Sequence, residues 1–156
     1  MKSLKVGFLT VIISMAAITS AFAVPDIALV MENKKVSLKE GKEVLNDVKA
    51  ARPGDVLLYT IKVSNKGDSS AIEVEPIGNI PSNTIYVPEN KKSEHKMQFS
   101  IDNGATFQDL PKITVTEKGK TVTKNAPAEM YNRVKWIIKK VDPKQTYNLT
   151  YKVKVK

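Results

Sequence analysis

Two stretches of this sequence place apolar residues at every second position, and that period restricts the architecture more than any other feature. Leu57, Tyr59, Ile61 and Val63 alternate with Leu58, Thr60, Lys62 and Ser64. At the C-terminus Tyr147, Leu149, Tyr151, Val153 and Val155 alternate with Asn148, Thr150, Lys152, Lys154 and Lys156. A β-strand sends successive side chains to opposite faces, so each apolar set shares one face and faces a core. On a helix the same residues would be scattered around the axis. Both segments are strands.

Turn chemistry divides the rest of the chain into similar pieces. Arg52-Pro53-Gly54-Asp55 suits a type II turn, in which proline presets φ and glycine accepts a positive one. Asn65-Lys66-Gly67-Asp68 closes the strand that follows. Asp102-Asn103-Gly104 predicts a tight hairpin between strands at 97–101 and 105–107, and Lys118-Gly119 predicts another between 113–116 and 121–123. Asp142-Pro143 opens the turn into the last strand. Further strands are expected at 27–31, 44–50, 71–75, 84–87 and 133–139, with one helical turn around 126–130. About eight to ten short strands between turns describe an all-β sandwich or barrel.

The first segment is an address. Lys2 and Lys5 precede a nearly unbroken apolar run from Val6 to Ala17, and small and polar residues then lead to Ala21-Phe22-Ala23. This is the layout of a cleaved export peptide. The run is short for a membrane span. Cleavage after Ala23 leaves Val24 as the first residue, so the expected organisation is a signal peptide at 1–23 and one domain at 24–156. Within that domain, N-terminal strands occupy 24–51 and the patterned core occupies 52–156. The expected location is the periplasm, the cell surface or the medium, with no integral membrane segment after cleavage. The chain has no cysteine, so disulfides cannot contribute and the apolar core must supply the stability.

Lys2 and Lys5 are the only charged residues before Val24, so the remainder carries +7 of the chain's formal +9. Such a balance favours anionic partners, such as surface polymers or acidic glycans. Nucleic acid would fit the charge, but the export address argues against it. On the last strand Lys152, Lys154 and Lys156 share the polar face, and Lys135 and Lys139 share one on the strand at 133–139. If those two strands pair, the five lysines form one basic sheet face. They would serve either as a binding surface or as a solvated face that discourages aggregation.

The same segments resemble the bacterial conserved-repeat family (domain of unknown function 11). The resemblance runs through Pro53-Gly54-Asp55, Tyr59-Thr60-Ile61 with Val63, Asn65-Lys66-Gly67-Asp68, Ile80-Pro81, Ile85-Tyr86-Val87, Val134-Lys135-Trp136-Ile137-Ile138 and Val141-Asp142-Pro143 to Val155. It covers roughly residues 52–156. It implies an immunoglobulin-like β-sandwich of the kind found in cell-surface proteins and says almost nothing of function. The chain departs from the family where Lys144 stands in place of the usual glycine, where Ser82-Asn83 follow Pro81, and in holding one copy rather than tandem repeats.

No catalytic set is visible, and no cofactor is implied. His95, in a charged loop, is the single histidine and is expected to face solvent, where it lacks the serine and carboxylate of a hydrolytic triad. With Met97 it makes a poor copper set. Met97 and Trp136 are expected in the core. Asp68, Asp102 and Asp109 sit near turns but do not follow a dedicated calcium-loop spacing. Asn148-Leu149-Thr150 matches a glycosylation sequon, which an export signal of bacterial type makes a chance match. The expectation is a non-catalytic structural or interaction module that binds a protein or surface polymer through loops or a strand edge. The alternative is a periplasmic ligand- or metal-binding protein.

Overall fold

The computed structural model describes residues 23–89 and 93–156. The proposed export peptide, Ala21 included, lies outside them except for Ala23. That residue and Val24 are exposed and outside any strand. Eleven strands follow. They are β1 (Ile27–Lys39), β2 (Lys42–Asp47), β3 (Val56–Asn65), β4 (Ala71–Val74), β5 (Ile77–Asn79), β6 (Thr84–Val87), β7 (Lys96–Ser100), β8 (Lys112–Glu117), β9 (Lys120–Asn125), β10 (Arg133–Val141) and β11 (Thr146–Val155). One 3₁₀ turn at Ala128–Met130 stands where the helical turn was expected.

The strands form antiparallel sheets. One has the order β2-β1-β3-β11-β6. In the second, β10 is central and pairs with β4, β5 and β7. The pairs Ile138–Val74 and Lys135–Ile77 belong to one continuous register, and the Trp136 N–H donates to Pro76 O between them (3.1 Å). Thus β4 and β5 are two halves of one strand, interrupted where Pro76 lacks an N–H, and β7 takes the other side of β10. The third sheet is the β8–β9 hairpin alone.

The first two sheets face each other across a shared core. Leu57, Ile61 and Val63 of β3 and Leu149, Tyr151 and Val153 of β11 meet Val134, Trp136 and Ile138 of β10. Trp136 is buried and lies against Tyr151, which stacks on Tyr59 at 5.1 Å between centroids. Truncating such a tryptophan to alanine costs about 3–5 kcal/mol. The period of two slips once. Val141 is buried although it is odd-numbered, and Ala71 opposite it is buried too. The slip falls where the β4–β10 ladder lacks the Glu73–Lys139 pair, and Glu73 there has φ at 53°.

Asn65, 1% exposed, ties the sheets together at one end. Its Oδ1 accepts from the backbone N–H of Asp26 (3.2 Å) and Gly67 (3.1 Å), and its Nδ2 donates to Ser69 O (2.7 Å) and Val141 O (3.0 Å). That uses the full capacity of a side-chain amide. Only glycine fits at position 67, because a Cβ there would stand 2.6 Å from the backbone nitrogen of Asp26.

Several elements differ from the sequence expectation. The first strand extends to Lys39 and hairpins with β2 through Glu40 and Gly41, both at positive φ, and β2 ends at Asp47 rather than near Ala50. Asn103 and Gly104 do adopt positive φ, but no strand follows them at 105–107. The Asp102 carboxylate accepts from the Ser100 hydroxyl (2.6 Å), the Thr106 hydroxyl (2.6 Å) and the Thr106 N–H (2.9 Å). These bonds hold 102–106 as a wider loop, and the chain pairs back only through one antiparallel bridge between Phe99 and Gln108. The Lys118–Gly119 hairpin forms as expected, yet all of β9 is exposed and the hairpin stands apart from both sheets. Lys144, where the resembling family has glycine, sits at φ 63°.

Candidate functional site

The five lysines do not share a face. β10 and β11 belong to different sheets, so the pairing that would have joined their polar sides does not exist. Lys135 is held by Glu75 (3.0 Å) and lies 4.9 Å from the centre of the Phe107 ring. Lys152 is held by Glu43 (2.8 Å) and Glu89 (3.2 Å), and the hydrogen bond to Glu43 chiefly holds its pKa above the usual lysine value. That contact closes a trough of about 830 Å³ on the outer face of the first sheet, walled by Val36, Leu38, Val56 and Val87. Lys139 and Lys154 are exposed, and Lys156 joins the end of β6 through its N–H to Asn83 O (2.9 Å).

His95 does not face solvent freely. Its ring stands edge-on to Tyr147 at 4.6 Å, and its Nε2 is shielded without a hydrogen-bond partner among the described residues. The start of β7 carries it across β11 beyond the point where β6 stops pairing. A cavity of about 920 Å³ opens there, walled by Tyr86, Met97, Phe99 and Tyr147 and rimmed by Glu89, Glu94 and Asp109. The turn aspartates are already engaged. Asp68 pairs with Lys144 and Asp109 with Lys96, each at 3.0 Å. Asp102 is drawn down to about 2 by its hydrogen bonds to Ser100 and Thr106. Among the described residues no three acidic or histidine side chains converge as a metal site would require. Asn148 is exposed on the outer face.

The strand edges differ sharply from one another. The β4–β5 edge is broken at Glu73 and Pro76, β6 has four residues between Pro81 and Pro88, and β2 presents Lys42, Glu43 and Asp47. The outer edge of β7 is covered by Gln108, which exchanges two hydrogen bonds with Phe99 (2.8 and 2.9 Å). The β8–β9 hairpin carries Lys112, Lys118, Lys120 and Lys124. Such interruptions and charges are how sheets avoid unwanted pairing.

β1 lacks these protections over half its length. It pairs with β3 from Ile27 to Val36, but with β2 only from Lys34 onward. Among the described residues nothing pairs with the other side of Ile27 to Asn33. The ladder shows which groups face outward. Lys66 N–H donates to Asp26 O (2.7 Å), so positions 26 and 66 are a hydrogen-bonded pair. Alternation then turns the backbone of Ala28, Val30 and Glu32 toward β3, and leaves the N–H and C=O of Ile27, Leu29, Met31 and Asn33 on the open side. The side chains here are apolar and uncovered, with Leu29 55%, Val30 59% and Met31 48% exposed. Sequence reasoning placed this strand but missed its edge. A signal was available: Ile27-Ala28-Leu29-Val30-Met31 is apolar at every position, although a strand with one solvent face should alternate.

No family model matches this chain, and no curated protein or solved structure matches it either.

Proposed function

We propose that this chain is an exported, non-catalytic interaction module of the bacterial envelope or secreted fraction, and that it engages a polypeptide by accepting its strand along the open edge of β1. The observation that carries the reading is that edge, with outward backbone donors and acceptors flanked by exposed Leu29, Val30 and Met31. Main-chain bonds supply affinity in such strand addition, and alternate side chains supply specificity. The non-catalytic part rests on how the acidic groups are employed. Asp55, Asp102, Asp109 and Asp142 each bind a neighbouring lysine or hydroxyl group that holds a loop or strand end. No described helix is long and apolar enough to cross a membrane.

We read the two facing sheets as an immunoglobulin-like sandwich with a changed connectivity. In the constant-type plan one sheet runs A-B-E-D and the other C-F-G. Here β1-β3-β11-β6 and β4/β5-β10-β7 lie in those places, with β2 added at one edge. The chain fills the last three places in reverse, so β7, β10 and β11 stand where G, F and E would.

The test uses Leu29→Pro, which removes one outward N–H without touching the ladder to β3. Heptapeptides selected from a random library against the wild-type protein should lose binding to this variant, and should bind equally at low and high salt. Binding that survives Leu29→Pro, or that vanishes with salt as capture of an anionic polymer would, rejects the edge. For the export half, N-terminal sequencing of the protein from fractionated cells should begin at Val24. A chain that retains Met1 in the cytoplasm rejects it. A second reading, a periplasmic ligand-binding protein, draws on the cavity beside His95. Thermal melts with calcium or copper test it, since a ligand specific to the native state raises the Tm.

A further inference from the structure

We infer that the strand accepted by this edge is β1 of a second copy, paired antiparallel about a two-fold axis at Val30, an inference that rests on the strand-edge reading above. The free segment Ile27–Asn33 is bounded on one side by Pro25, which cannot extend a ladder, and on the other by β2, which pairs from Lys34 onward. Its midpoint is Val30. With the axis there, Leu29 meets Met31 of the second copy and Met31 meets Leu29 of the second copy. Each pair consists of residues whose N–H and C=O already point outward, so the central bonds form without rearranging β1. The end pairs, Ile27 with Asn33 of the second copy and the reverse, use the remaining outward groups. An axis one residue away in either direction keeps the bonding parity but shortens the overlap.

The side chains agree with that register. Val30 meets its own copy on the outer face, and the Leu29–Met31 pairs meet on the inner one, so the exposed apolar residues of the edge cover each other. Glu32 lies opposite Ala28 of the second copy, and no like charges oppose each other along the segment. An axis at Leu29 would instead bring Glu32 against Asp26 of the second copy. The union would join two five-stranded sheets into one and remove the unprotected edge, which is the hazard such a strand otherwise presents. The net positive charge of each copy opposes association at long range, so salt should strengthen this pairing. That is the reverse of what capture of an anionic polymer shows.

The chain has no cysteine, which makes the test direct. Val30 directs its own N–H and C=O to β3, so across the axis it forms a non-hydrogen-bonded pair with Cα atoms about 4.5 Å apart, within disulfide reach. The protein as isolated after export is examined by sedimentation equilibrium, and a Val30→Cys variant by the rate of its oxidation to a covalent dimer. A Leu38→Cys variant, exposed on the β1–β2 hairpin, serves as control. The expected result is a reversible dimer at roughly 10–100 µM that tightens with salt and is lost in Leu29→Pro. Val30→Cys should oxidise about tenfold faster than Leu38→Cys or more, because native geometry presents its sulfurs to each other. A monomer at millimolar concentration, or equal oxidation of the two cysteine variants, overturns the inference. If the protein is monomeric yet still binds peptides in a Leu29-dependent way, the edge reading stands and its strand comes from another protein. If neither occurs, both fail together.

Discussion

Replacing Asn65 with alanine should destabilise this protein more than alanine at any other polar position. The side chain is buried and makes four hydrogen bonds, two accepted from the N–H groups of Asp26 and Gly67 and two donated to the carbonyls of Ser69 and Val141. Each bond contributes about 1 kcal/mol net, and orphaned donors add a desolvation cost, so the loss should be about 3–5 kcal/mol. For a domain near this size that lowers the Tm by roughly 10–20 °C. Urea unfolding followed by tryptophan fluorescence measures it, since Trp136 is buried in the same core. Asn65→Asp should be worse at neutral pH, because a carboxylate oxygen would then face the two carbonyls that Nδ2 now serves. Burial would raise the folded-state pKa of that new carboxyl above its unfolded value of about 4, so the deficit relative to wild type should grow as pH rises through 4. A loss below about 1 kcal/mol for the alanine variant, well short of the bonds counted, would refute the view that this amide fastens the two sheets.

Other outcomes follow from the same structure. Gly67→Ala should release the Val24–Asp26 segment, because its Cβ would stand 2.6 Å from Asp26 N; faster hydrogen exchange at Asp26 and Lys66 checks this. The loop around Asp102 should hold above pH 4 and loosen as pH falls toward 2. Its folded pKa of about 2 lies below the ordinary value, so the stabilisation belongs to the ionised form and is lost on protonation; the Thr106 amide shift reports it, and Asp102→Asn should abolish the transition. Lys144→Gly should raise stability by about 0.5–1 kcal/mol, since it relieves a left-handed backbone at φ 63° and gives up only two exposed contacts of the ammonium, with the Asp68 carboxylate and the Lys66 carbonyl. Deleting residues 113–124 and closing the gap with glycine should leave the Tm nearly unchanged, because the β8–β9 hairpin pairs with neither main sheet and contributes no buried residue; a fall beyond about 5 °C, or roughly 1 kcal/mol, would contradict that placement.

The alternation in β3 and β11 specified strand type, face and core membership together, because a period of two is a local property of the backbone. The same holds for the turns at Arg52–Asp55 and Lys118–Gly119, where glycine's tolerance of positive φ is a property of one residue. Local sequence could not say which strands become neighbours. The lysines of β10 and β11 look alike in composition, yet long-range register placed them in separate sheets and paired Lys135 with Glu75 and Lys152 with Glu43. The turn at Asn103–Gly104 shows a second limit: the chain does reverse there, but three bonds to the Asp102 carboxylate widen the loop and reduce the pairing to one Phe99–Gln108 bridge in place of the ladder that the turn residues alone favoured.

What the sequence determined by itself was an all-β chain whose stability cannot come from disulfides, with its core residues chosen by position parity. Tertiary structure alone decided where that parity slips at Glu73, what Asn65 fastens, and that β2 begins to cover β1 only at Lys34. An unpaired edge is a relation between strands far apart in the chain. The apolar run Ile27–Met31 hints that something should cover this strand, but that the edge is open depends on how far β2 extends, which no residue of the run encodes.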